Sequence, residues 1–170
     1  MATATQQNVG SAADNPQSVD VGQDVTQTEI HGTMAELSLL SADYITDARL
    51  SVEVHVPYLF KFDSGVPLLV ALLDKAESSN VKPKVVISEV EMQSSDSQRL
   101  IETLRESGVK VYHRSVLSES SEVIIVIDRM IAFKWIVELD GYYQSVGVMH
   151  TSRRGVREIR GSFMEYWNEQ

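Results

Sequence analysis

Four histidines, His31, His55, His113 and His150, are the side chains in this chain best able to move a proton or hold a metal at neutral pH. None stands at i, i+3 or i, i+4 spacing with a carboxylate in the pattern of a metal site, so no metal is expected. The chain has no cysteine, which removes thiol nucleophiles, disulfides, iron–sulfur clusters and cysteine-ligated zinc. No phosphate-cradling glycine loop, Gly-x-Ser-x-Gly elbow or dinucleotide fingerprint occurs either, and no cofactor is expected. His31 falls in a polar leading segment. His55 and His113 lie on separate expected strands, where a sheet-edge pocket is conceivable, but satisfied or solvent-facing rings are the simpler expectation. Arg153, Arg154, Arg157 and Arg160 form a basic cluster on the last expected helix. It is read as a solvated helix face paired with Glu158 and neighbouring acids, in preference to a nucleic-acid footprint.

The charge balance supports that preference. With 15 Lys and Arg against 24 Asp and Glu, the formal net charge of -9 repels phosphate over the molecule as a whole, which leaves only local basic patches as polyanion sites. A length of 170 residues with 43% hydrophobic content suits one domain with a substantial core. No segment has the apolar length of a membrane span and the N-terminus has no signal-peptide pattern, so a cytoplasmic protein without membrane contact is expected.

The elements that would position these residues follow from periodicity. Residues 1–33 are polar, without lysine or arginine and without periodicity, and are expected to be a disordered tail before a domain over 34–170. Thr33 with Glu36 forms a capping box, and Leu37, Leu40, Tyr44 and Ala48 make one helix face. Val52, Val54 and Val56 alternate with Ser51, Glu53 and His55, giving a strand with one buried face that ends at Pro57. Ser64 is expected to cap a helix with Pro67 in its first turn, ending near Ser78-Ser79-Asn80. Lys84–Ser88 is a short apolar strand. Ser95 opens a helix carrying Leu100, Ile101 and Leu104, and Gly108 supplies the left-handed residue that ends it. Val109–Arg114 is a third strand.

The run Val123–Ile127, the break Asp128-Arg129 and the apolar return Met130–Val137 predict a hairpin at the centre of the sheet. Asp140-Gly-Tyr-Tyr is expected to be a turn, and Ser145–Met149 a further short strand. Ser152 opens a last helix whose Val156, Ile159, Phe163 and Trp167 form a stripe against the sheet. The alternation predicts an α/β fold with a mixed β-sheet flanked by helices.

The order of these elements, the Leu-Arg-Glu-Ser-Gly-Val-Lys-Val link before the hairpin, and a final helix ending in Trp resemble one half of the phospholipase D superfamily, over roughly Leu50 to Trp167. The chain is also similar to the non-catalytic versions in archaeal sugar-sensing transcription regulators and in certain microtubule-interacting-and-trafficking proteins. Active members carry His-x-Lys-x-x-x-x-Asp on the first hairpin strand. Aligned on Asp128, this chain has Ser121 for the histidine and Val123 for the lysine. The resemblance makes the histidine the nucleophile and the lysine the neutraliser of phosphoryl charge; serine without a base and valine supply neither role.

The resemblance thus implies the fold without the usual phosphodiesterase activity, hence no enzyme. Strand ends around the lost motif would gather His113, Arg114, Ser120, Ser121, Asp128, Arg129 and Lys134 as a residual ligand-binding site, although Arg129 and Lys134 equally suit turn and edge-strand charges. Because active relatives pair two halves, a homodimer is expected. The expected function is recognition of a protein partner or a small anionic ligand, with a role in transcription regulation. Direct nucleic-acid binding is disfavoured for want of a helix-turn-helix. The rival is a phosphodiesterase or nuclease with a non-standard site, His113 with Asp128.

Overall fold

The computed structural model describes residues 3–6, 26–57, 65–89, 95–115, 121–137 and 145–168. Its strands are β1 (Thr3–Gln6), β2 (Gln27–Gly32), β3 (Val52–Val56), β4 (Lys84–Glu89), β5 (Lys110–Ser115), β6 (Glu122–Ile127), β7 (Ile131–Ile136) and β8 (Ser145–His150). The helices are α1 (Met34–Asp47), α2 (Val66–Ser78), α3 (Ser95–Glu106) and α4 (Arg153–Asn168). All strands belong to one sheet in the order β1-β2-β8-β7-β6-β3-β4-β5. The β3-β4-β5 side is parallel, and every other pairing is antiparallel. The mixed α/β sheet with its central hairpin is therefore present as expected.

The two faces of the sheet are built differently. Helices α1, α2 and α3 cover one face, where Leu37, Ile45, Leu68, Leu72, Ile101 and Leu104 meet Val54, Val85, Ile125, Phe133 and Trp135. Crossovers between parallel strands turn in one sense, which is why α2 and α3 fall on the same side. Among the described residues, helix α4 alone covers part of the other face, setting Val156, Ile159 and Phe163 on Val86, Ile124, Val126 and Ala132.

Local chemistry explains most boundaries. Thr33 accepts from the Glu36 amide while the Glu36 carboxylate accepts from the Thr33 amide at 2.9 Å, closing the capping box that starts α1. Gly108 has φ of +93°, ending α3 with backbone that a residue bearing Cβ disfavours. Gly147 answers a different need: a Cβ there would stand 2.6 Å from Trp135 Cβ and 2.8 Å from the Lys134 carbonyl oxygen, so β8 approaches β7 beneath the tryptophan only as glycine.

Three expectations are revised. The polar leading segment does not run unbroken to residue 33: Gln27–Gly32 pairs with β8 along its whole length and β1 pairs with it in turn. Only Ile30 of β2 is a large core residue, too weak a pattern for strand recognition without its partner. Helix α2 takes Gly65 as its N-cap, without a side-chain cap bond; Ser64, expected there, lies outside the described residues. Strand β3 is buried on both faces, Glu53 and His55 included, because α4 covers the face that alternation assigned to solvent. The expected turn at Asp140-Gly-Tyr-Tyr lies outside the described residues.

Candidate functional site

The candidate residues lie at the two ends of the sheet. At one, the β6–β7 turn meets the loop between α1 and β3; at the other stand the carboxyl ends of β4 and β5 and the start of β6. The residues proposed from sequence divide between these ends and between the two faces.

Asp128 and Arg129 form the turn, with φ of 53° and 55°, the left-handed pair that a two-residue hairpin of this twist requires. The Asp128 carboxylate accepts from the main-chain amides of Arg49, Leu50 and Ser51 at 2.9, 2.7 and 2.8 Å. Burial alone would raise its pKa. The three amide donors and the nearby Lys75 outweigh that and hold it below the ordinary carboxylate value. Lys75 is buried on α2 and donates to the carbonyls of Thr46 and Ala48 at 2.6 and 2.8 Å, closing the end of α1. Asp128 is therefore a clasp for the α1–β3 connection.

His113 and Ser121 are directed by strand alternation to the face of α1, α2 and α3, whereas Arg114 and Lys134 belong to the α4 face. His113 shares a row with Ile87, Val56 and, across β6, Val123. Asp128 lies five residues further along β6, roughly 16 Å at strand rise, and three strands away. The geometry thus separates His113 from Asp128, the pair required by the rival phosphodiesterase. Ser120 lies outside the described residues. Val123 has no exposed surface and belongs to the core of the three-helix face.

What does converge is a set centred on His55. Its Nε2 lies 3.0 Å from Ser88 Oγ, and its ring stacks on Tyr166 of α4 at 3.8 Å with 10° between the planes. Lys134 pairs with Glu122 at 2.8 Å beside it. Burial lowers the His55 pKa to about 4, the Glu122 carbonyl and carboxylate pull upward, and Arg114 adds to the depression. The ring is thus neutral at pH 7 and a weak base. It has no exposed surface, so the His55–Ser88 couple resembles a base and nucleophile in atoms without offering access to a substrate.

Nearly two turns earlier on α4, Arg160 donates to both oxygens of Glu53 at 2.6 and 2.9 Å. Glu53 is 2% exposed, Lys84 Nζ stands 4.0 Å from it, and that ammonium lies 5.2 Å from the centre of the Trp167 ring. Arg160 thereby leaves the solvated row in which the sequence placed it. Arg153, Arg154 and Arg157 are exposed as expected, but among the described residues none of them forms an ion pair, with Glu158 or any other acid. Sequence reasoning missed Ser88 and Tyr166, and named Glu53 and His55 only as the open face of a half-buried strand. The available signal was the α4 stripe itself, since a helix amphipathic at that period must cover part of a sheet face.

Among the described residues, no group of three or more His, Cys, Asp or Glu side chains could hold a metal ion, and no helix is long and apolar enough to cross a membrane.

No protein-family model matches the chain, and no curated protein matches it in sequence. Solved structures do. Nuc from Salmonella typhimurium, a phospholipase D family member, superposes with a TM-score of 0.64 at 16% identity, covering 84% of this chain and 95% of its own. The chain has a phospholipase D-like fold. NucT from Helicobacter pylori matches at a TM-score of 0.60 and 12% identity, over 84% of this chain and 96% of its own. TrmBL2, an archaeal chromatin protein with a novel mode of DNA binding, matches at 0.57 and 14% over 89% of this chain. This chain spans 55% of the length of TrmBL2. At such identities the likeness is one of fold, and the phospholipase D-like fold hosts both an enzyme family and a chromatin protein.

Proposed function

We propose that this phospholipase D-like chain is a non-enzymatic, cytoplasmic recognition module that works as a homodimer in regulation. The observation that carries the reading is Val123. It is fully buried in the apolar core at the position where the resembled motif has its lysine, with Ser121 in place of the histidine. A cation there would have to displace core packing, and without it nothing at that position neutralises a phosphoryl oxygen.

Two further features support recognition. Ile136 and Val146, 53% and 55% exposed, are neighbours on β7 and β8 at the same end of the sheet as Ser121, an apolar pair suited to a second copy. Arg114 and Lys134 stand on the α4 face near that end, where a small anion or an acidic side chain of a protein partner would find charge. The likeness to TrmBL2 favours a place in transcription regulation, reached through a DNA-bound partner.

The test is turnover of bis(4-nitrophenyl) phosphate by the full chain, with light scattering in parallel. The expected result is no turnover and a dimer that Ile136→Asp converts to monomer. Turnover abolished by His113→Ala or by Ser121→Ala would overturn the non-enzymatic reading, and a monomer at micromolar concentration would overturn the dimer.

A further inference from the structure

The opposite end of the sheet carries features that neither the fold nor the Ser121 region uses. Arg129 holds φ of 55°, a conformation that glycine or asparagine adopts at lower cost, and its side chain is exposed without an ion pair among the described residues. Its neighbour Met130 is 67% exposed. Asp128 draws the α1–β3 loop against this turn through the Leu50 amide, and Leu50 is itself 76% exposed, the largest fraction among the exposed large hydrophobic residues.

Arg49 precedes it, also exposed. The strand register brings the start of α4 to the same end of the sheet: His150 at the end of β8 lies opposite Ala132, the second residue of β7, and α4 begins with Arg153 and Arg154 shortly after. Two exposed apolar side chains thus sit among arginines in a protein of net charge -9. The carboxylates closest in sequence are Asp47, Glu53 and Glu158, of which Glu53 is buried against Arg160, and Asp128 is occupied by amides.

We infer that this hairpin-tip end is a docking surface for an acidic segment of a partner protein, one that interleaves carboxylates with apolar side chains. Arginine without lysine favours planar carboxylate pairing, and arginine with methionine is the composition of protein interfaces. Nucleic acid would match the arginines but leave Leu50 and Met130 in water, and the whole-molecule charge opposes it. A lipid surface would need more buried apolar area than two side chains supply. The inference is independent of the Ser121 end and would hold for an enzyme as well as for a recognition module.

Fluorescence anisotropy of the full chain tests it with a labelled peptide alternating glutamate with leucine and phenylalanine. The expected result is saturable, salt-sensitive binding. Arg129→Glu with Arg154→Glu should weaken it about tenfold or more, and Leu50→Ser with Met130→Ser by about tenfold. Val66→Ser, exposed at the start of α2 and outside both surfaces, should leave it unchanged. A peptide with serine for its apolar residues should bind more weakly. Circular dichroism confirms that the exposed-site variants remain folded. The inference is overturned if the acidic-apolar peptide does not bind at high micromolar concentration, if either double variant binds as the parent does, or if a mixed-sequence DNA duplex or phosphatidylserine vesicles bind more tightly than the peptide.

Discussion

The two faces of the sheet solve the same problem by different means. On the face of α1, α2 and α3, helices are held mainly by apolar area, with Leu37, Ile45, Leu68, Leu72 and Leu104 all at or below 1% exposure, and Lys75 adds bonds to the end of α1. On the other face a single helix, α4, adds polar couples to a smaller apolar contact: Arg160 with Glu53, and Tyr166 over His55. Apolar attachment tolerates sliding because it has no direction, whereas a bidentate ion pair and a stacked ring fix the helix along and about its own axis. The first face should therefore respond to volume changes and the second to charge and pH.

The largest expected effect comes from breaking the buried ion pair. Arg160→Met leaves the Glu53 charge buried with only Lys84 nearby and should cost roughly 3–5 kcal/mol in urea denaturation. Leu72→Ala, its counterpart on the other face, should cost about 2–5 kcal/mol. The contrast fails if Arg160→Met is nearly neutral while Leu72→Ala is not.

The next effect concerns pH. Because the folded His55 pKa is near 4 and the ordinary value is 6.5, the unfolded chain takes up its proton first as pH falls. Stability from this group is present above about pH 6.5 and is lost on descent toward pH 4, about 3 kcal/mol in all. Denaturation at a series of pH values should show that slope, and His55→Gln should flatten it. An unchanged slope in the variant would assign the acid sensitivity elsewhere.

The smallest effect belongs to the apolar face. Thr33→Ala removes one side of the capping box and should cost about 1 kcal/mol with little pH dependence. Hydrogen exchange should locate the loss in the first turn of α1.

The same contrast explains what could be read from sequence. Period-3.6 stripes on α1 and α3, the capping residues Thr33 and Gly108, and the β-branched run of β6 act locally, and each was visible in a short window. The polar couples join residues far apart in the chain, Arg160 with Glu53 and His55 with Ser88 and Tyr166, and no local period encodes such a partner. Asp128 misled for a related reason. Its place in the resembled motif suggested the cleft, but its left-handed conformation and three amide bonds belong to the turn at the far end.

The position of β2 has a consequence for how the chain is made. Gln27–Gly32 precedes the central strands in the chain, yet its partner toward the body of the sheet is β8, Ser145–His150. The strand must wait for the intervening strands and helices to be made before it can join the body of the sheet, and closing so long a loop carries an entropy cost that slows its docking. Its composition suits the wait. With Ile30 as its one large apolar side chain, β2 exposes little that would aggregate on the ribosome, and its arrival completes the sheet after the rest has assembled.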